Sequence, residues 1–164
     1  MPADIGSIRD TGPIAYFLTW TTHGSWLPGD PRGWVKRGGD FRSANHVLHT
    51  AVARAMNDPP LSLSPAQRGL VYDAIDMTCR HRGWVIHACQ CRIQHAHVVV
   101  TATRVPPEIV LAQLKAWSTR ALADAGLSHR RCWSRGGSSR LIFGECDLQR
   151  VVEYVKECQD RPRA

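Results

Sequence analysis

Two histidines one residue apart open an apolar run in the stretch Gln94-His95-Ala96-His97-Val98-Val99-Val100. Along an extended strand, side chains alternate faces with a period of two. His95 and His97 then share a face with Val99 and Thr101, while Ala96, Val98, Val100 and Ala102 take the other face and supply the core side. Two neutral imidazoles side by side begin a site for a divalent cation. Taken alone, the pair fits the polar edge of a half-buried strand better, because chance His-x-His pairs are common. A second donor set lies just upstream. Cys89 and Cys91, with His87 nearby, could join His95 and His97 across a hairpin as four ligands for zinc. Against zinc, Cys-x-Cys lacks the two-residue spacer of the common zinc motifs, and cysteines on a strand also serve as small buried hydrophobes.

Composition sets the context for these donors. A chain of 164 residues is long enough for one domain with a proper core, and an apolar fraction of 43% fits a globular protein. No apolar stretch approaches the ~20 residues of a membrane span. Residues 1–10 show no hydrophobic signal core, so a cytoplasmic location is expected. In that compartment the six cysteines (Cys79, Cys89, Cys91, Cys132, Cys146 and Cys158) are expected as thiols rather than a disulfide framework. The net charge of +7 favours polyanionic partners, nucleic acid foremost.

The elements that must position the histidines follow from pattern. Residues 14–22 are rich in aromatic and β-branched side chains and read as a first strand. Residues 23–50 differ in kind: they hold five glycines, Pro28, Pro31, Trp26 and Trp34, with Arg32, Lys36, Arg37 and Arg42 among them. A loop of ~25 residues inside a compact domain is uncommon and often functional. Tryptophans interleaved with basic residues suit stacking on bases and pairing with phosphates, which makes Arg32, Lys36 and Arg37 candidate nucleic-acid contacts. An insertion anchored by its tryptophans is the other reading. Residues 47–56 form a short helix. Ser64-Pro65-Ala66-Gln67 is a capping box with proline at the first helical position. The helix it opens runs to about Arg82, ends at Gly83, and buries a stripe of Leu70, Ala74, Met77 and Thr78. Residues 84–92 and 95–103 are strands joined by a tight turn, hence a hairpin. Pro106-Pro107-Glu108 opens a second long helix that stops before Gly126 and buries Val110, Leu114, Trp117 and Ala121. Residues 139–143 form a fourth strand, and Asp147 caps a last helix to about Gln159. The order β-α-β-β-α-β plus a terminal helix predicts an α+β, ferredoxin-like (RRM-like) antiparallel sheet with helices on one face. The second face is expected to be free to carry the site.

Several stretches, THGSWLPGDPRGWV (22–35), QHAHVVV (94–100), LKAWSTRAL (114–122), CWSRGG (132–137) and VVEYVKECQ (151–159), then fall into one pattern. Together they resemble the HUH single-strand endonucleases, in the small single-tyrosine branch of insertion-sequence transposases and REP-associated tyrosine transposases. The resemblance spans about residues 14–160 of a single domain. It implies that His95 and His97 hold Mg²⁺ or Mn²⁺ and that Tyr154 is the nucleophile. The reaction it implies is cleavage of single-stranded DNA to a 5′-phosphotyrosine and a free 3′-hydroxyl, reversible by another strand and needing no ATP. Imidazole ligation tilts the metal preference towards Mn²⁺. Many relatives carry a Gln or Asn four residues after the tyrosine as a third ligand. Here that position is Cys158, so Glu157 and Gln159 are the candidates; helical spacing keeps Glu157 near the face of Tyr154 and turns Gln159 away.

The resemblance also implies DNA in the form of a hairpin with a single-stranded flank, and leaves a homodimer open. Residues 115–140 carry Lys115, Arg120, Arg130, Arg131, Arg135 and Arg140 against one acid, Asp124. Lys115, Arg120, Arg131 and Arg135 are therefore expected to bind phosphates with a steep salt dependence. Two alternatives stand beside the nuclease: a domesticated relative that grips hairpin DNA without cutting it, and the zinc protein built on Cys89, Cys91, His95 and His97.

Overall fold

The computed structural model describes residues 12–36, 39–102 and 104–157. The aromatic, β-branched run forms β1 (Ala15–Thr21) at the centre of a four-stranded antiparallel sheet. It pairs on one side with β5 (His95–Thr101) and on the other with β6 (Ser138–Ile142), and β5 pairs outward with β4 (Val85–Cys91). The strand order is β4-β5-β1-β6. Within the long loop, β2 (Trp34–Val35) and β3 (Phe41–Arg42) form a short ribbon, followed by α1 (His46–Arg54), which Asn45 caps. Gly33 enters that ribbon at φ +86°, and the Phe41 ring fills the space a side chain would need. Only glycine takes such a φ without strain.

The helices α2 (Pro65–Arg82) and α3 (Pro107–Asp124) pack on each other and on one face of the sheet. The capping box of α2 is present as expected: Ser64 Oγ accepts from Gln67 N–H, the Gln67 side chain accepts from Ser64 N–H, and Gly83 ends the helix at φ +69°. The larger core lies here, with Leu18, Trp20, Val98 and Val100 from the sheet meeting Val71, Ile75, Val110 and Leu114.

Three expectations are corrected. Thr78 of the expected α2 stripe is buried, but the rest is one residue out of phase: Val71, Ile75 and Cys79 are buried with it, and Met77 is 69% exposed. Val71, Ile75 and Cys79 repeat at i, i+4 and i+8, so the apolar row that includes two β-branched residues faces the sheet. On α3, Val110 and Leu114 are buried, but Ser118 and Leu122 continue the row and Trp117 faces solvent. Ser118 is tolerated because its hydroxyl donates to the Leu114 carbonyl at 2.5 Å. Lastly, the second face of the sheet is not free. The helix α4 (Glu145–Glu157) lies across it, burying Leu148, Val151 and Val155 against Ala15, Ala88, Val99 and Ile142. Its apolar residues at three- and four-residue spacing give it a face that must be covered.

Candidate metal and nucleophile site

Cross-strand register decides what surrounds the two histidines. His97 stands opposite Thr19 of β1 and Gln90 of β4, and His95 opposite Thr21. Directly opposed residues share a face, so Thr19, Thr21 and Gln90 ring the imidazoles. The two histidine rings lie 4.8 Å apart between centroids. Thr19 Oγ1 is hydrogen-bonded to His97 Nδ1 at 2.9 Å, and the Phe17 ring stacks on His97 at 5.6 Å. In the tautomer that donates Nδ1–H to Thr19, Nε2 keeps the lone pair for a ligand. Burial, and then the neighbouring His95 and Arg92, push the His97 pKa down to about 4. That imidazole is neutral at pH 7 and needs to shed no proton to accept a cation.

Tyr154 comes to the same place from α4. Val151 and Val155 anchor the helix, and Tyr154 sits at the edge of that buried stripe, 42% exposed. Its ring meets Phe17 edge-on at 6.2 Å and His97 edge-on at 6.4 Å. One chain thus brings a phenol and two imidazoles together on one face.

The fold that carries these residues is found among solved structures. A REP-associated tyrosine transposase bound to a REP hairpin superposes with a TM-score of 0.54 at 16% identity, over 88% of this chain and 65% of that protein. This chain has the fold of the REP-associated tyrosine transposases. A candidate transposase from Deinococcus radiodurans R1 superposes with a TM-score of 0.51 at 14% identity, over 88% of this chain and 89% of that one. No protein-family model matches the sequence, and no curated protein does. Among the described residues no helix is long and apolar enough to cross a membrane.

On this transposase fold the other predicted donors are placed as follows. No three His, Cys, Asp or Glu side chains gather to hold a metal among the described residues. Glu157, exposed at the end of α4, therefore does not join His95 and His97; Gln159 lies outside the described residues, as does Arg37. The zinc set is corrected by register. Cys89 and Cys91 pair with Val98 and Ala96, on the face opposite His95 and His97, and pack into the larger core. Burial pushes the Cys89 thiol up to about 12 and Cys91 up to about 11, so both stay protonated. His87, displaced by a bulge in β4, hydrogen-bonds Thr101 Oγ1 at 2.8 Å instead. The sequence reading missed Gln90. Its signal was the hairpin itself, because a tight turn between residues 92 and 95 sets Gln90 against His97. Gln90 is half-buried, and its amide has no hydrogen-bond partner among the described residues. Two imidazoles and an amide oxygen fit a cation such as Mn²⁺ or Mg²⁺ better than the soft set did.

The basic side chains divide. Arg32 forks onto both Asp30 oxygens at 2.8 Å and donates to the Ser25 carbonyl, so its charge is spent holding the loop. Lys115 Nζ donates to the Ser134 and Gly136 carbonyls at 2.8 and 2.6 Å and braces the segment before β6. Arg120 lies on α3, in the layer opposite the histidines, with its guanidinium 5.7 Å from the Trp117 ring. Arg131 lines a small polar hollow with His23, Asp58 and Arg130. Lys36 and Arg135 line a separate cleft with Trp26 and Trp34, bordered by Thr19 and Thr21. The expected basic band is therefore several separate places, of which the last adjoins the histidines.

Proposed function

We propose that the chain is a metal-dependent single-stranded DNA endonuclease and strand transferase acting on hairpin-flanked DNA through a 5′-phosphotyrosine. One observation carries the reading: Tyr154 from α4 and His97 from β5 meet edge-on at 6.4 Å on the face that holds both imidazoles. Chance packing gives an interfacial tyrosine no reason to meet a second paired polar motif. His95 and His97 would hold Mg²⁺ or Mn²⁺, with Gln90 as an amide donor beside them. Such a cation, when bound, offsets charge developing on the scissile phosphate.

The chain's own residues do the rest. Thr19 and Phe17 fix the His97 ring. The Tyr154 oxygen bonds to the phosphorus while the bond to the 3′ oxygen of the preceding nucleotide breaks. The phenol gives up its proton to solvent, and the departing 3′ oxygen takes one up. A 3′-hydroxyl of another strand reverses the step, with no net change in the bonds present. The substrate is single-stranded, so that the site reaches the backbone with no complementary strand in the way.

The test uses a hairpin with a 5′ single-stranded flank and Mn²⁺. Wild-type protein gives a protein-DNA adduct that survives boiling in detergent, and Tyr154→Phe gives none while still shifting the same DNA in a native gel. Binding without any adduct, on every hairpin and with either metal, would make the chain a hairpin-binding protein instead.

A further inference from the structure

We propose that the cleft between the tryptophan loop and the β1–β6 edge receives one unpaired base of the DNA flank, stacked on Trp34 and Trp26, with its phosphate on Arg135 and Lys36. The proposal rests on the DNA-processing reading above and names the subsite that reading lacks.

The cleft has a volume of about 680 Å³, within the ~300–1,000 Å³ usual for small-ligand sites. Trp26, Trp34 and Pro28 contribute one wall and Ser134 to Gly137 the other. Among the described residues its charged lining is Lys36 and Arg135, with no carboxylate. Flat indoles beside fixed positive charge are the means by which single strands are held without reading sequence. The Trp34 indole N–H is buried and has no hydrogen-bond partner among the described residues, a cost that a ligand acceptor would relieve. Both walls are preorganised. Trp26 Nε1 donates to the Gly33 carbonyl at 2.7 Å, and the Asp30–Arg32 fork ties down the turn between the tryptophans. Lys115 clamps the opposite wall through the Ser134 and Gly136 carbonyls. The cleft is also continuous with the proposed chemistry, because Thr19, which lines it, is hydrogen-bonded to His97. A nucleotide seated there is a near neighbour of the one being cut.

Binding is measured in the Tyr154→Phe background, so the DNA stays intact. A set of flanked hairpins carries a single abasic nucleotide at each flank position in turn. One position, or two adjacent ones, should lose about 5- to 150-fold in affinity. Trp34→Ala should lose a similar factor on the intact flank, nothing further at that abasic position, and nothing on a hairpin without a flank. Trp34→Leu, which keeps apolar bulk in the ribbon, should behave like Trp34→Ala. A flat abasic scan with the hairpin still bound, losses that multiply, or an equal loss on the flankless hairpin each overturns the cleft while leaving the nuclease standing. Failure of the wild type to form an adduct removes the nuclease reading, and failure to bind any hairpin removes both.

Discussion

His97 is held from three sides, by Thr19 at Nδ1, by the Phe17 ring on its face and by the Tyr154 ring at its edge. Thr19 is the member whose role can be separated from packing. Thr19→Val keeps the shape and removes the hydrogen bond, so the fold should persist while Mn²⁺ binding, read by calorimetry, weakens about 10- to 100-fold, as for lost outer-shell partners elsewhere. Gln90→Ala should likewise weaken Mn²⁺ binding while leaving thermal stability nearly unchanged. Asp30 gives a pH test. Hydrogen bonds from Arg32 hold its carboxyl down to about 2, against an ordinary 3.8. Between those values the folded chain binds fewer protons than the unfolded one, so the stabilisation is complete above about pH 4 and is lost as pH falls towards 2. Asp30→Ala should therefore cost about 1–3 kcal/mol at neutral pH. Its deficit against wild type, in denaturant titrations, should be constant from pH 5 to 8 and shrink on acidification.

Among the elements, α4 carries the tyrosine and is held by few side chains. Val155→Ala should cost about 1.5–3 kcal/mol and depress adduct formation beyond what that loss of folded protein explains. Gly137, at φ +149°, lies where an added Cβ would come within 2.9 Å of the Thr19 carbonyl and 2.8 Å of Leu111. Gly137→Ala should destabilise by about 1–3 kcal/mol and disturb the cleft with it. The sequence made much of this legible. Capping chemistry marked α2 from Ser64 to Gly83, and the period-two run at 95–101 placed both histidines on one face. Phase was harder. Leu70/Ala74 and Val71/Ile75 are adjacent rows on one helix, and only tertiary contact chooses between them. The partner of the His face was illegible for a related reason. The valines of α4 announce a face to bury but not which side of the sheet will bury it. The zinc alternative failed because four ligands close in sequence occupy both sides of a pleat.

At the scale of the whole molecule, a net charge of +7 does not say where on the surface an anion would be held. Arg32 and Lys115 spend their charge on carbonyls and a carboxylate of the chain itself, whereas Lys36 and Arg135 line the cleft. Arg135→Ala should flatten the salt dependence of binding to flanked hairpins by about one phosphate contact. Arg120→Ala, in the opposite layer, should leave that slope unchanged in the same titration. Among the described residues, the sheet also separates two unequal cores, nineteen buried residues on the α2–α3 side and seven under α4. Layers with fewer buried contacts open at lower free energy than the rest. Heat should then silence this protein before it melts it. On slow warming, adduct formation fades while the amides of β1 and β5 are still protected from exchange, and it returns on cooling as the seven-residue core closes again.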